Sequence, residues 1–570
     1  MFGNRPMIAD TSVGGLGFDE AEAGLIIGTY MGLVYFTPFI GGLLADKVIG
    51  YRNAVVIGAI TMCTGHISLA FKSMSFFYLG LALLIVGNGF FKPNISTMLG
   101  RLYPKESKLK DAGFNIFYLG INLGAFVCNF VAAIVRNKYG WHAAFGTAGI
   151  GLAIGLVIFL TVYKRLARAE VSSEEKQDQV GSDEGLRTLW SKVLPSSIVM
   201  AVIVYLASGH WDKDNKVTYA FFGACIPVFI YYYRLWFTAG KKEKGPIGAL
   251  LTISLVLVPF WMVFNLNSTV LSFWAKKNTD REVHSSIEPM LKAVNLLEDA
   301  PTDYFDNANP ETPRPNRNWL KVIEFSSAGK EERAKHEKVI KRTYAKTLEL
   351  KGYREAGPVP VTAEEFEAVY KRAGGKTLKS GEALPVANAE LFQSINPAWV
   401  IMLTPLLVVI WKSLRRRKKE PTTPSKIGLG MLFASGCWLV MLAAVVYSND
   451  GSIKVSPFWL VGSYGVITIG ELCLSPVGLS LVTKLAPARL GAVMMGGFFV
   501  SIAVGNKLSG VVGGPVWKSK SVPHSYFFIG LTILMVAFAL IIFRMRGWLN
   551  QYIPKEEAEG VSTSPSTPSA

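Results

Sequence analysis

The sequence predicts an all-α, polytopic membrane protein. Three observations carry that prediction. Half of the 570 residues are hydrophobic, mean hydropathy is +0.32, and apolar segments of roughly twenty residues recur along the chain. A soluble enzyme of this length would be more polar.

The segments fall near 22–45, 54–74, 76–100, 112–134, 143–163, 190–208, 218–238, 247–274, 396–412, 427–447, 457–483, 491–514 and 525–545. Each can cross a hydrocarbon core of about 30 Å. With no water to satisfy backbone amides there, each must be a helix. Residues 1–167 form a first helical block, 168–187 a polar linker ("RAEVSSEEKQDQVGSDEGLR" runs through it), 188–238 an extra helix pair, and 247–547 a second block. The second block is interrupted by the hydrophilic stretch 276–392, and 548–570 is a polar, disordered cytoplasmic tail. Alternation leaves the N-terminus outside, and residues 1–10, with Arg5 and Asp10, cannot fill a span, so the first helix is expected to be incomplete. No basic start followed by an apolar run marks a signal peptide. Cys63, Cys128, Cys225, Cys437 and Cys473 all fall inside apolar segments, which suits packing residues rather than disulfides or metal ligands.

The net charge of +18 is placed rather than spread. Within 276–392, 20 Lys and Arg face 19 Asp and Glu, leaving 39 basic against 22 acidic residues elsewhere. The basic clusters "DKVIGYR", "RLYPKESKLK", "YKRLAR", "AGKKEK", "RRRKK" and "RMR" all stand at ends that alternation assigns to one face. The positive-inside rule makes that face cytoplasmic, which leaves no reason to expect nucleic acid as a partner. It also puts 276–392 outside the cytoplasm. Its stretch "EERAKHEKVIKRTYAKTLELKGY" reads as an irregular amphipathic helix, so a small, partly helical module is expected there.

The short cytoplasmic turn "GGLLADKVIGYRNAV" holds Gly41, Asp46, Lys47 and Arg52 in order. Glycine permits close helix approach, and an acid among bases at a helix end can act as a conformational latch. This turn resembles the loop signature of the major facilitator superfamily. Four further stretches, "GNGFFKPNIST", "FNIFYLGINLGAF", "FQSINP" and "GELCLSPVGLSLVTKLAPARLGAVMMGGFFVSIAVGNKLSG", resemble the proton-dependent oligopeptide transporter family. The resemblance runs from about residue 20 to 547, excluding 276–392, and implies two six-helix bundles, with the extra pair 188–238 similar to the fourteen-helix bacterial branch.

Lys92 stands inside an apolar run, where an ammonium costs roughly 2.5–3.5 kcal/mol unless water or a partner receives it. It is therefore expected to face a central cavity. Glu471 lies on the fourth helix of the second block as Lys92 does on the fourth of the first, and parallel repeats put such positions on opposite walls of one midplane site. The resemblance implies that Lys92 and Glu471 serve proton coupling and hold the two ends of a zwitterion. It also implies Arg5 as a carboxylate binder, and Tyr30, Tyr35, Tyr118, Asn122, Trp261, Asn396 and Phe498 as cavity-lining substrate contacts. The implied activity is import of di- and tripeptides with protons by alternating access, in the bacterial inner membrane, without cofactor or metal. Small peptides, protons and the lipid bilayer are the expected partners, and a monomer suffices.

Departures from the pattern weaken the coupling. The family's E-x-x-E-R-F motif would precede Met1, Asn265 stands where a titrating glutamate is usual, and Phe498 replaces a tryptophan. A uniporter or exchanger of a related solute therefore competes as a reading, as does a sensor or scaffold built on 276–392. No Gly-rich phosphate loop, G-x-S-x-G or H-E-x-x-H motif supports an enzyme or an ATP-driven pump.

Overall fold

A computed structural model describes residues 16–103 except 17 and 19, 109–169, 187–299 except 211, 213, 214, 282 and 285, then 385–451, 454–487, 490–517 and 522–553. The first block is α1 (Glu20–Leu44), α2 (Tyr51–Leu69), α3 (Met74–Arg101), α4 (Leu109–Tyr139) and α5 (Trp141–Val162). The extra pair is α6 (Leu194–Ser208) and α7 (Lys216–Thr238). The second block begins with α8 (Lys241–Asn265) and a short α9 (Val270–Lys277). After the insertion come α11 (Ile395–Arg416), α12 (Thr423–Tyr447), α13 (Phe458–Leu485), α14 (Gly491–Val511) and α15 (His524–Leu549).

Among the described residues, eleven helices are long and apolar enough to cross a membrane. The chain is a multi-pass membrane protein. α2 falls below that mark because Arg52, Asn53 and His66 interrupt it, and in α13 the qualifying stretch, Phe458–Leu474, is short. Both nevertheless pack as neighbours of spanning helices, α2 against α3 and α5, and α13 against α11 and α12. Apolar side chains on the perimeter face outward, as Ile150, Ile154, Val157 and Ile158 do on α5.

Within the first block, α1 packs on α3 through a glycine contact. Pro93 has no amide to bond the Gly89 carbonyl one turn back. The Gly41 backbone lies against that oxygen, where a Cβ would come within 2.1 Å. Asn94 reinforces the seam by donating to Phe90 O at 2.7 Å and Gly41 O at 3.3 Å.

The two blocks meet in their extracytoplasmic halves. α1 touches α14 and the helical turn that continues it, Val512–Val516, backbone to backbone, since a Cβ on Gly28 would lie 2.6 Å from Gly510 Cα and one on Gly24 2.6 Å from Gly514 Cα. Further along, Asn129 of α4 donates to Ser394 Oγ at 3.1 Å, and Ser394 donates to Phe126 O at 2.8 Å.

The described part of the insertion is a short helix, α10 (Glu288–Ala293), and a two-stranded ribbon that the hydropathy pattern did not announce. β1 (Leu297–Asp299) and β2 (Pro385–Ala387) pair antiparallel, with Glu298 opposite Val386. The helix expected from "EERAKHEKVIKRTYAKTLELKGY" lies outside the described residues, as does the linker 170–186. Of the five cysteines, Cys225, Cys437 and Cys473 are buried, Cys63 is half-buried and Cys128 is exposed.

Candidate functional site

Tyr35 lies eleven residues beyond Gly24 on α1, about three turns at 3.6 residues per turn. It therefore shares the helix face that Gly24 and Gly28 press against the second block, lies deeper, and packs against the core of that block. The ammonium of Lys92, reaching from α3, sits 4.3 Å above the centre of the Tyr35 ring. A ring face attracts a cation through its quadrupole. The Lys92 side chain is exposed, and the ring it meets, Tyr35, packs against the core of the second block.

On the opposite wall, Asn396 of α11 reaches α13. Its amide donates to Thr468 Oγ1 at 2.8 Å and to Glu471 Oε2 at 3.1 Å. Thr468 in turn donates to Tyr464 O at 2.7 Å. Thr468 and Glu471 are three residues apart and share a helix face. Tyr118 of α4 is near enough to interact electrostatically with both Glu471 and Tyr35. The structure thus brings together Lys92, Tyr35, Tyr118, Glu471 and Asn396, drawn from five helices of both blocks. Lys92 is the nineteenth residue of its 28-residue helix and Glu471 the fourteenth of its own. Counted from their helix starts the two positions differ by five residues, about 7.5 Å at 1.5 Å per residue.

The other expected contacts are distributed differently. Tyr30 is half-buried on α1. Asn122 is buried and donates to Tyr118 O at 2.9 Å, which leaves the phenol's own helix turn braced. Trp261 stands edge-on to Phe260 and Phe264, with its backbone turn pressed on Gly505. Phe498 is 4% exposed and belongs to the apolar core of the second block. Arg5 lies outside the described residues. In the cytoplasmic turn, Arg52 donates to Tyr163 O at 3.1 Å and covers the Tyr163 ring at 4.6 Å, tying α2 to the end of α5. Gly50, with φ +77°, lets the chain reverse between α1 and α2. Asp46 and Lys47 occupy the wide turn Ala45–Ile49, and their side chains lie outside the description.

Several polar contacts at the closed outer side were not anticipated. Asn265 donates to Trp261 O at 2.8 Å and to Asn506 Oδ1, and Asn506 donates to Met31 O on α1. Lys507, 1% exposed, donates to Thr29 Oγ1 at 2.5 Å. Arg136 at the outer end of α4 donates to Glu390 and, at 2.5 Å, to Glu298 of β1. Arg281 grips the other oxygen of Glu298 at 2.5 Å and Ala387 O at 2.6 Å. Asn137 adds bonds to Asn295 O and Leu297 O at 2.8 and 2.9 Å. The only advance signal was an arginine at the tip of an apolar segment.

Comparison with known proteins gives a consistent picture. A sequence profile described as the POT family matches residues 52–296 and 385–540. The chain is 29% identical over 547 residues to YclF, an uncharacterised transporter of Bacillus subtilis (strain 168), covering 94% of this chain and 87% of that one. It is 27% identical to the peptide transporter YePEPT of Yersinia enterocolitica subsp. palearctica serotype O:3 (strain YE-P4), covering 95% and 89%. Among solved structures, a crystal structure of peptide transporter POT in complex with sulfate is similar at TM-score 0.66 and 26% identity, over 95% of this chain and 89% of that one. A mutant of peptide transporter POT in complex with alafosfalin gives TM-score 0.64 and 26% identity, over 96% and 90%.

Proposed function

We infer function from one premise: the chain belongs to the POT family, which consists of transporters rather than enzymes. We propose that it is a secondary active transporter of the bacterial inner membrane that imports di- and tripeptides with protons by alternating access. Relatives described as di-/tripeptide transporters from Lactococcus lactis support the substrate class. The observation that carries the reading is the placement of Lys92 and Glu471, reached from separate blocks, around the shared Tyr35 and Tyr118.

A zwitterionic backbone fits that placement. Its carboxylate goes to the Lys92 ammonium, and its amino group goes to Glu471, whose second oxygen is not engaged by Asn396. Aromatic and amide surfaces between them tolerate varied side chains. Tyr30, Asn122, Trp261 and Phe498 belong to the same proposal as more distant members of the site, and Arg5 belongs to it as a carboxylate binder. Gly41, Asp46, Lys47 and Arg52 belong to it as the cytoplasmic latch. Glu471, within bonding reach of a substrate amine, is the proton carrier of the cycle, because bound cation and bound proton compete for one carboxylate.

The outer contacts make this the outward-closed state, so the cycle opens the extracytoplasmic side by parting α1 from α14 and Arg136 from Glu298 and Glu390. The test is uptake of a labelled dipeptide into proteoliposomes. Accumulation with an inward proton gradient is expected, and no accumulation above passive leak rejects the proposal. A weakly coupled exchanger is the second reading, favoured by Asn265, whose amide bonds Asn506 and cannot carry a proton. Peptide counterflow that persists undiminished after the pH gradient is collapsed would select it.

A further inference from the structure

Between the extra helix pair and the second block lies a cleft of about 790 Å³, whose lining includes neither Lys92 nor Glu471 and is almost entirely apolar and aromatic. Its floor is α8. There Gly245 and Gly248 have no side chains, so the Tyr552 and Trp236 rings lie directly on the helix, where a Cβ would come within 2.2 and 2.9 Å of them. Along α8 the lining runs from Lys244 to Val258. Those fourteen steps span about 21 Å at 1.5 Å each, enough to cross one leaflet of about 15 Å, half the hydrocarbon core. Its rim is greasy and open sideways: Tyr233 is 60% exposed and Leu255 64%.

One charge stands at the mouth. Lys244 is exposed at the cytoplasmic end, with its ammonium 5.2 Å from the Trp236 ring and 5.4 Å from the Phe237 ring, and Lys241 and Lys242 are exposed one turn away. Glu243 is the acid of that turn. Direct anchoring of α7 to the second block includes the Tyr232 hydroxyl donating to Val493 O at 2.5 Å.

We propose that this cleft is a binding site for one anionic glycerophospholipid of the cytoplasmic leaflet, with its phosphate at Lys244 and an acyl chain along Leu251, Leu255 and Val258. Basic pockets between spanning helices on the cytoplasmic side suit such headgroups. The lipid completes the interface between the extra helix pair and the transport core.

Native mass spectrometry of the full chain in mild detergent, titrated with phosphatidylglycerol or with phosphatidylethanolamine of the same acyl chains, tests the proposal. Phosphatidylglycerol should bind about fivefold more tightly or better, since a lysine near an anionic lipid contributes about that factor. Lys244→Gln should abolish the preference, and Thr252→Phe, at a position lining the cleft, should weaken both lipids by filling it. Lys419→Gln, on an exposed loop outside the cleft, should leave the preference intact. Lys244 is exposed, so its variant folds and the decision does not hang on Thr252→Phe. Equal binding of the two lipids, or a preference that survives Lys244→Gln, overturns the proposal.

Discussion

Glu471→Gln keeps the shape of the side chain and an oxygen for Asn396 to bond, and removes only the charge and the exchangeable proton. Losing a charge-assisted contact of about 1.5–3 kcal/mol should lower dipeptide uptake roughly ten- to a hundredfold. Elution and melting temperature should stay near those of the parent, which separates a site defect from misfolding. Tyr35→Leu removes only the ring beneath Lys92. A cation–π contact is worth about 0.5–2 kcal/mol, so the loss of uptake should be smaller, severalfold to about thirtyfold.

Glu420, in the loop after α11, gives a test on the cytoplasmic surface. Arg415 donates to it at 2.7 and 3.1 Å and Lys426 at 2.7 Å, and hydrogen bonding from Arg415 first pulls its carboxyl down to about 2. A depressed folded value means the stabilisation is present above the unfolded value near 4.5 and lost as pH falls toward 2. The melting difference between the parent and Glu420→Gln should therefore be steady at neutral pH and shrink from about pH 4.5 downward. A difference that grows in acid would contradict the assignment.

Among the helices, the same glycine substitution should have opposite consequences in two places. Gly28→Leu sits where α1 of one block touches α14 of the other, so it should prevent outer closure while each block still folds. Spin labels at the outer ends of α1 and α14 should then report a lengthened distance. Gly41→Leu instead wedges α1 from α3 inside one block, and should cost yield and stability. Arg136→Gln leaves two half-buried carboxylates, Glu298 and Glu390, without the partner they share, and leaves Glu298 to Arg281. Removing one member of a fully buried pair costs about 3–5 kcal/mol; with both carboxylates part-exposed and Arg281 still on Glu298 the cost is smaller, and it falls on the outward-closed state. The outer label distance should again lengthen in the variant.

Hydropathy made the thirteen segments legible, and charge asymmetry made their orientation legible, because both are local sums along the chain. The lysine inside the apolar run "GFFKPN" and the acid in "GELCLSP" were legible for a similar reason: a charge in an apolar segment is conspicuous. The Arg136 cluster was not, since its partners lie 162 and 254 residues away and the ribbon strands are three residues each. Neither was the cleft under Lys244, which depends on where Tyr552 and Trp236 come to rest on two glycines. Pairing over such distances is set by tertiary packing, and no periodicity announces it.

For the whole molecule, a cation on α3 and an anion on α13 can serve one substrate only if both open onto a single aqueous chamber sealed from outside by α1, α14 and the Arg136 cluster. Cysteine accessibility in oriented membranes measures this directly. Lys92→Cys and Glu471→Cys would be placed singly in a chain whose five native cysteines are serine, and exposed to a membrane-impermeant maleimide from each side. Both positions should label from the cytoplasmic side and resist label from outside. Labelling only by a lipid-soluble reagent, with neither position reached by the impermeant one, would put the two residues in the bilayer or in solid protein and contradict the account.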